Sequence, residues 1–298
     1  MVMVLTRSLL CLLLMLQVAQ WAQAEPGQDC LQCHTLQVSP SVHGIFANHH
    51  GAGNSGAVQN SNGAFCAGCH GVSEQHRSDP IKHLPDIRFG VQASPPEQQN
   101  AACLGCHKGQ ERMAWVGSLH QQEDLSCAGC HSLHSAKDQV LMAEQQADTC
   151  FGCHRDVQAK SHLPSAHPVM AAQVSCSDCH NPHGSSTPGS LTGVTLNDTC
   201  FSCHAEKRGP FLFEHAPAAE DCSLCHDPHG SVNRDLLTSR TPFLCQQCHS
   251  AAFHPSQLMD GSGLPSGSSN MNLLGKNCLN CHSQVHGSNH PSGGRLTR

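Results

Sequence analysis

Apolar positions are unevenly distributed along the chain. One uncharged, mainly apolar run lies near the N-terminus, between Leu9 and Ala19. Arg7 precedes this run, and the small residues Ala22 and Ala24 follow it. Such an arrangement is typical of a secretory signal peptide, here residues 1–24. A retained N-terminal anchor is the alternative, but the run is shorter than the roughly 20 apolar residues that a membrane-spanning helix needs.

After residue 24 the apolar positions are scattered, and no later run is long enough to cross a bilayer. Gly, Pro, Ser, Asn and Gln fill the intervals between them. The pattern predicts short helices within residues 135–150 and 198–207. We therefore expect an exported chain that is mostly irregular, with brief α-helices and little or no β-sheet.

The composition does not provide a conventional hydrophobic core. Aromatic residues make up 4% of the chain, tyrosine is absent and charged residues make up 13%, whereas there are 21 cysteines and 25 histidines. A chain of this kind must be held together by disulfides, metals or bound cofactors. Its formal net charge of −6 argues against a nucleic acid as partner.

Cysteine spacing decides among these possibilities. The cysteines after residue 24 form ten Cys-x-x-Cys pairs: Cys30 and Cys33, Cys66 and Cys69, Cys103 and Cys106, Cys127 and Cys130, Cys150 and Cys153, Cys176 and Cys179, Cys200 and Cys203, Cys222 and Cys225, Cys245 and Cys248, and Cys278 and Cys281. A histidine follows each pair at once: His34, His70, His107, His131, His154, His180, His204, His226, His249 and His282.

The Cys-x-x-Cys-His motif indicates covalent haem attachment, because two thioethers fix the porphyrin while the adjacent histidine reaches the iron. Zinc sites and thioredoxin-like motifs do not require a histidine after every pair, and a plain disulfide framework would not explain it either. The predicted fold is therefore an elongated multihaem cytochrome c, in which irregular chain and short α-helices wrap around ten covalently bound haems. Folding should then depend on haem attachment, as small metal domains depend on their metal.

Fifteen further histidines are available as sixth ligands, enough for every iron to be bis-histidine. We select those that flank the even-numbered motifs, because each of these motifs has one histidine before it and one soon after. The selected residues are His43, His76, His120, His134, His167, His183, His215, His229, His254 and His286. The two-motif spacing predicts one repeat used five times.

The remaining histidines are expected at the surface or beside haem propionates: His49, His50, His83, His162 and His290. Either His50 or His83 could replace a selected residue in the less regular N-terminal part. The methionines after residue 24 are alternative ligands that would raise the reduction potential, whereas bis-histidine ligation favours a low one. His183 lies too near His180 in sequence to reach the opposite face of the same porphyrin, so we expect it to bind the iron of another motif. We expect the same of His134, His229 and His286.

Ten such motifs, with CHNPHGS at 179–185, CHDPHGS at 225–231 and CHSQVHGSNHPSG at 281–293, resemble the periplasmic decahaem cytochromes of the MtrA/DmsE/PioA family. The resemblance covers nearly all of the chain after residue 24, and its more specific motifs lie in the C-terminal half. It implies an electron conduit in the periplasm, associated with the outer membrane and seated in a β-barrel porin. The implied partners are periplasmic electron carriers and an extracellular multihaem cytochrome or reductase. Two pentahaem halves, 25–160 and 161–298, would fit the motif count.

Two other functions stay open at this point. A diffusible periplasmic carrier would have the same haem chemistry as a conduit. A multihaem enzyme is disfavoured, because such enzymes leave an iron position open for substrate, and here every motif ends in histidine while tyrosine is absent. We therefore expect an electron carrier without a catalytic haem.

Overall fold

The structure is a computed structural model, and it describes residues 28–51, 65–90, 92–249 and 277–297. In these ranges the longest α-helices have nine residues. The α-helices are α1 (Gln28–Cys33), α2 (Ala67–His70), α3 (Glu74–Ser78), α4 (Pro96–Leu104), α5 (Leu119–Gln122), α6 (Ala143–Phe151), α7 (Arg155–Ser161), α8 (Cys176–Cys179), α9 (Leu196–Phe201), α10 (Ala216–Glu220) and α11 (Phe243–Gln246).

Short 3-10 helices supplement these elements. They span Pro40–Ala47, Gln110–Ala114, Cys127–Gly129, Gln139–Leu141, Val169–Ala171, Pro188–Ser190, Ala205–Lys207, Cys222–Leu224, Arg234–Leu236 and Cys278–Asn280. Sheet structure in the described ranges is one antiparallel pair of two-residue strands, β1 (Phe213–Glu214) and β2 (Gly287–Ser288). The predicted architecture of short helices and little β-sheet is confirmed.

Odd-numbered and even-numbered motifs differ in local structure. The first cysteine of each odd-numbered motif lies within an α-helix, as Cys103 does in α4 and Cys150 in α6. The even-numbered motifs instead begin with a single short turn, such as α8 or the 3-10 helix Cys222–Leu224. This alternation follows the two-motif repeat that the sequence predicts.

The helices predicted within residues 135–150 and 198–207 are shorter than expected. Only α6 and the 3-10 helix Gln139–Leu141 form in the first interval, because Met142 between them has an extended backbone, with φ −101° and ψ 120°. In the second interval, α9 starts earlier than expected because Thr195 caps it, accepting a hydrogen bond from the Asp198 main-chain N–H. The pattern therefore located helical structure but not its bounds.

Few large apolar side chains are buried. Among the described residues, the buried hydrophobic side chains are those of Ile45, Trp115 and Phe151. Buried polar residues are more numerous, and they include Asn100 and Asn197. The described chain thus has no extended hydrophobic core of its own, in line with the composition.

The chain divides into two compact units. The first runs up to Gln110 and also contains Gln121–Leu141, and the second contains Glu111–His120 and the residues from Met142 onward. Four motifs lie in the first unit and six in the second. Lys160, near the predicted boundary, lies inside α7 of the second unit. The predicted division into two pentahaem halves, which concerns haem content rather than compactness, stays a prediction.

Within the described ranges, no helix combines the length and apolar character needed to cross a membrane. The predicted signal peptide, residues 1–24, lies outside the described residues.

Candidate functional site

Each of the ten Cys-x-x-Cys-His motifs forms one helical turn. The main-chain N–H of the motif histidine donates to the carbonyl of the first motif cysteine, at 2.8 to 3.0 Å in all ten motifs. Residues three and four positions apart share a face of such a turn. This geometry places both thiols and the imidazole where one porphyrin could meet all three.

Two motifs of one repeat lie side by side. The first cysteine of an odd-numbered motif is close enough to the first cysteine of the next motif to alter its ionisation. Burial and then the Cys30 thiol raise the pKa of Cys66 to about 11, and burial followed by Cys222 does the same for Cys200. The interacting pairs are Cys30 and Cys66, Cys103 and Cys127, Cys150 and Cys176, Cys200 and Cys222, and Cys245 and Cys278.

A buried amide joins the two motifs of a repeat. Asn197 in α9 accepts a hydrogen bond from the Cys222 main-chain N–H at 2.8 Å, and Asn100 in α4 accepts one from the Cys127 N–H at the same distance. Gln146 in α6 plays the corresponding part, since its Oε1 accepts from the main-chain N–H of Ser177 at 3.0 Å. These bonds hold the start of each even-numbered motif against the helix of the preceding one.

Main-chain carbonyls orient several motif histidines. Nδ1 lies 3.0 Å from the Ile87 carbonyl in His70, 2.8 Å from the Gly189 carbonyl in His180, and 2.7 Å from main-chain carbonyls in both His226 and His282. A carbonyl can only accept, so Nδ1 carries a proton, and in the neutral ring Nε2 then keeps its lone pair. These rings therefore present the nitrogen that a metal requires.

A second histidine faces most motif histidines. Eight such pairs have ring centroids 5.9 to 6.3 Å apart. The pairs, with the motif histidine first, are His34 and His76, His70 and His134, His107 and His50, His154 and His120, His180 and His229, His204 and His167, His226 and His286, and His249 and His215.

This spacing fits one iron between two imidazoles. Imidazole nitrogen binds a first-row metal at about 2.0 Å, and the ring centroid lies about 1 Å behind that nitrogen, so two opposed rings have centroids about 6 Å apart. The donor set of two thiols and two histidines is therefore suited to a haem c group in each of the eight pairs.

The facing histidines are oriented in the same way as the motif histidines. Nδ1 of His120 lies 2.8 Å from the Pro182 carbonyl, and Nδ1 of His167 lies 2.8 Å from the Pro228 carbonyl. Burial lowers the pKa of His229, which keeps this ring neutral. Neutral imidazole is the form that binds a metal, so fixed tautomers and neutral rings both favour ligation.

The pairing follows a rule that sequence reasoning missed. We define the forward histidines as those that precede an even-numbered motif and face the next odd-numbered motif histidine: His50, His120, His167 and His215. The backward histidines follow an even-numbered motif and face the previous even-numbered motif histidine: His134, His229 and His286. His76 faces His34 of its own repeat. Each repeat therefore contributes histidines to its neighbours.

The prediction for His43 departs from this geometry. Its Nε2 lies 2.8 Å from the His34 main-chain carbonyl, and its ring packs against Phe46 at 5.6 Å. His50 occupies the forward position instead and faces His107. The available signal was position, because every forward histidine is the last histidine before its even-numbered motif.

His183 and His254 are the two remaining selected histidines. His254 lies outside the described residues. The ring of His183 packs against Trp115 at 6.4 Å, and its main-chain N–H donates to Asn181 Oδ1 at 3.1 Å. Its assignment as a sixth ligand stays a prediction.

The glycine in the His-Gly-Ser sequences allows another segment to pass closely. Gly184, Gly230 and Gly287 all have positive φ, at 101°, 147° and 138°. A Cβ on Gly230 would overlap the Lys160 carbonyl, and a Cβ on Gly184 would overlap the Ala114 carbonyl. Each segment that passes there continues into a forward histidine, so the glycine helps to place that ligand.

Two arginines point to an anionic group. Within the described residues, the buried Nε atoms of Arg88 and Arg112 have no hydrogen-bond partner. A buried guanidinium nitrogen left in this state costs on the order of 1 to 3 kcal/mol, and more when charged. The neighbours of Arg88, Ile87 and Phe89, both contact the His70 ring. Haem carries carboxylate groups that could satisfy such nitrogens, so these arginines also fit the prosthetic group.

Comparisons with known proteins agree with this site. Residues 66–148 match the family model described as cytochrome c-type protein NrfB-like, and residues 167–209 and 215–254 match the doubled CXXCH motif. Multiheme cytochrome MtrA of Shewanella baltica (strain OS185) is 47% identical over 275 residues, which cover 91% of this chain and 81% of that protein. The chain belongs to the MtrA family of multihaem cytochromes. The predicted family, the multihaem cytochrome c fold and an electron-transfer role are thereby confirmed.

Proposed function

We propose that this chain binds ten haem c groups, each held by two thioethers and two histidines, and conducts electrons through the outer membrane from within a β-barrel porin. The opposed histidine pairs carry the proposal. At eight of the ten motifs they supply two nitrogen ligands at a spacing suited to one iron, which would leave no position for a substrate there. The proposal extends this ligation to all ten haems and therefore has no catalytic haem.

The chain's own residues position and insulate the groups. Bound haem would supply one-electron exchange, and the protein would set distances and potentials. Carbonyls that accept from Nδ1, such as that of Gly189 for His180, hold several of the imidazoles in one orientation, and buried amides such as Asn197 hold two motifs of a repeat together. Adjacent first cysteines, such as Cys200 and Cys222, would attach two haems side by side. Short separations of this kind favour electron transfer.

Membership of the MtrA family supports the barrel partner and the location in the periplasm, against the outer membrane. The predicted signal peptide supports export. The net charge of −6 would favour basic surfaces on soluble electron carriers or on the barrel lining. Periplasmic carriers on one side and an extracellular multihaem cytochrome or reductase on the other complete the proposed path.

Haem content and spin state test the cofactor part of the proposal. Mass spectrometry of the holoprotein should give the mass of the processed chain plus ten haems. Electron paramagnetic resonance of the oxidised protein should show low-spin ferric haem throughout. A substantial high-spin fraction that binds added cyanide or nitrite would overturn bis-histidine ligation and favour an enzyme.

Membrane fractionation tests the partner. Mild detergent extraction of outer membranes should yield the cytochrome together with a β-barrel protein in a fixed ratio. Recovery solely as a free monomer from the periplasmic fraction would favour the diffusible carrier and would contradict the conduit.

A further inference from the structure

One motif histidine donates to a carboxylate instead of a carbonyl. Nδ1 of His131 lies 2.6 Å from Asp138 Oδ2. By contrast, His70, His180 and His226 donate to main-chain carbonyls. A carboxylate is a charged acceptor, and its hydrogen bonds are shorter and roughly twice as strong as those between neutral groups.

The Asp138 carboxylate is fixed by its surroundings. Its second oxygen, Oδ1, accepts a hydrogen bond from the Ser132 main-chain N–H at 3.2 Å, and its own carbonyl accepts from the Leu141 N–H at 3.1 Å in the following 3-10 turn. The side chains of His131 and Asp138 are 29% and 14% exposed. A charge so little exposed is screened by salt much less than a surface charge.

A second acidic contact to a motif histidine, in the part of the chain that the structure describes, is of a different kind. Glu206 Oε1 lies 3.9 Å from Nδ1 of His204, too far for a hydrogen bond, and both side chains are more than half exposed. This pair therefore does not share the geometry of His131 and Asp138.

We propose that Asp138 is a positioning residue that lowers the reduction potential of the haem attached at Cys127 and Cys130. The proposal rests on the haem ligation proposed above for His131. A carboxylate that accepts from Nδ1 increases the basicity of the imidazole at Nε2, and a more basic ligand stabilises the ferric state relative to the ferrous state. On reduction, this haem would gain one electron from a neighbouring reduced haem. No bond is broken, and the proton stays between Nδ1 and the carboxylate.

The test compares Asp138→Asn with Asp235→Asn in the holoprotein. Asp235 follows another motif histidine, His226, but accepts from it through its main-chain carbonyl at 2.7 Å, while its side chain is exposed. Asp235→Asn therefore makes the same chemical change and leaves the acceptor in place. Potentiometric titration should show that Asp138→Asn changes the oxidised-to-reduced ratio of one haem by about tenfold towards the reduced form, or 59 mV for one electron.

The Asp138→Asn and wild-type titration curves should differ in the transition of a single haem, which takes up one electron. Asp138→Glu, which keeps a carboxylate, should restore most of the wild-type curve and remains informative if the asparagine variant is poorly made. A shift for Asp138→Asn no larger than that for Asp235→Asn would overturn the proposal. The haem count and low-spin signal are measured on the same samples, so loss of ligation would be recognised separately from an unchanged potential.

Discussion

At two places two segments of the chain pass each other closely, and the glycine that makes room for the contact lies on a different segment in each case. At the N-terminal crossing, Gly44 passes against His134, and a Cβ on Gly44 would overlap the His134 carbonyl. At the C-terminal crossing, Gly230 follows His229, and a Cβ there would overlap the Lys160 carbonyl. The glycine thus lies on the passing segment in the first crossing and on the motif side in the second.

The comparison shows what the His-Gly-Ser pattern means physically. The requirement is that one of the two segments lacks a Cβ, and either segment can meet it. Ser135 can therefore follow His134 without loss of the crossing, and Asn48 adds hydrogen bonds from its Nδ2 to the carbonyls of Leu133 and Ser135. In both crossings the passing segment leads to a forward histidine, His50 in one case and His167 in the other.

Replacement of the facing histidines gives the largest expected effect. His50→Ala at the N-terminal crossing and His229→Ala at the C-terminal one should each convert one low-spin haem to high spin, because each would remove one of the sixth ligands that we propose. His43→Ala is the matched control and should leave all haems low-spin, since His43 Nε2 lies against the His34 carbonyl. Electron paramagnetic resonance measures the high-spin fraction. The reverse result, with high spin in His43→Ala alone, would contradict the ligand scheme.

The two glycines should differ when each is replaced by alanine. Gly44→Ala adds overlap with a neighbouring segment, a change that costs about 1 to 3 kcal/mol in packed regions. Gly230→Ala adds a similar overlap. It also places alanine at φ 147°, and this strained backbone costs a further amount of about 1 to 3 kcal/mol. Denaturant titration of the holoproteins should therefore give a larger loss of stability for Gly230→Ala.

Gly109 provides the control for this comparison. A Cβ there would meet nothing within 4 Å, and its φ is not in the positive range. Gly109→Ala should leave the midpoint of the titration nearly unchanged. If Gly44→Ala behaves like Gly109→Ala, the N-terminal crossing is looser than the structure indicates.

The smallest expected effect concerns an ion pair at the C-terminal crossing. Lys160 Nζ lies 2.7 Å from Asp227 Oδ2, with side chains 44% and 26% exposed. Burial alone would raise the pKa of Asp227, but hydrogen bonds from Lys160 and from the His229 main-chain N–H outweigh it and lower that pKa. Partly exposed pairs of this kind contribute about 0.2 to 1 kcal/mol.

Because the pKa is lowered in the folded state, this contribution is present above the ordinary aspartate pKa near 4 and is lost as the pH falls through the lowered value. Asp227→Asn should therefore be slightly less stable than the wild type at neutral pH. The difference between the two should disappear in acid. Asn181 occupies the corresponding place in CHNPHGS and accepts from the His183 N–H in the same way, so Asn181→Asp should not reproduce the pH dependence without a matching lysine.

The sequence alone predicted much of the architecture, because the motif spacing carries the information. Ten Cys-x-x-Cys-His motifs and their two-motif period indicated the family, the short helices and the repeat. The bounds of α6 and α9 were less predictable, since they depend on local features such as the extended backbone of Met142 and the capping residue Thr195.

Ligand partners could not be read from spacing for a different reason. Except for His76, each facing histidine and the motif it faces lie in different repeats, so their approach depends on tertiary contacts such as that between Gly230 and Lys160. His43 and His50 both precede the second motif, and the structure places His50, the nearer of the two in sequence, against His107. The pattern CHSLHS gave no sign of the N-terminal crossing, because the glycine of that crossing, Gly44, lies far from His134 in the sequence.

The exchange of histidines between repeats has a consequence for the order of maturation. In the second compact unit, His215 precedes Cys245 along the chain, whereas His286 follows Cys222 and faces His226. During synthesis and export from the N-terminus, His215 would already have emerged when the ninth motif appears. The eighth motif would wait until the chain has passed its last cysteine. With haem bound as proposed, the irons of the third, fifth, seventh and ninth motifs would be completed as the chain emerges, whereas those of the first, second, sixth and eighth motifs would wait for a histidine further along the chain.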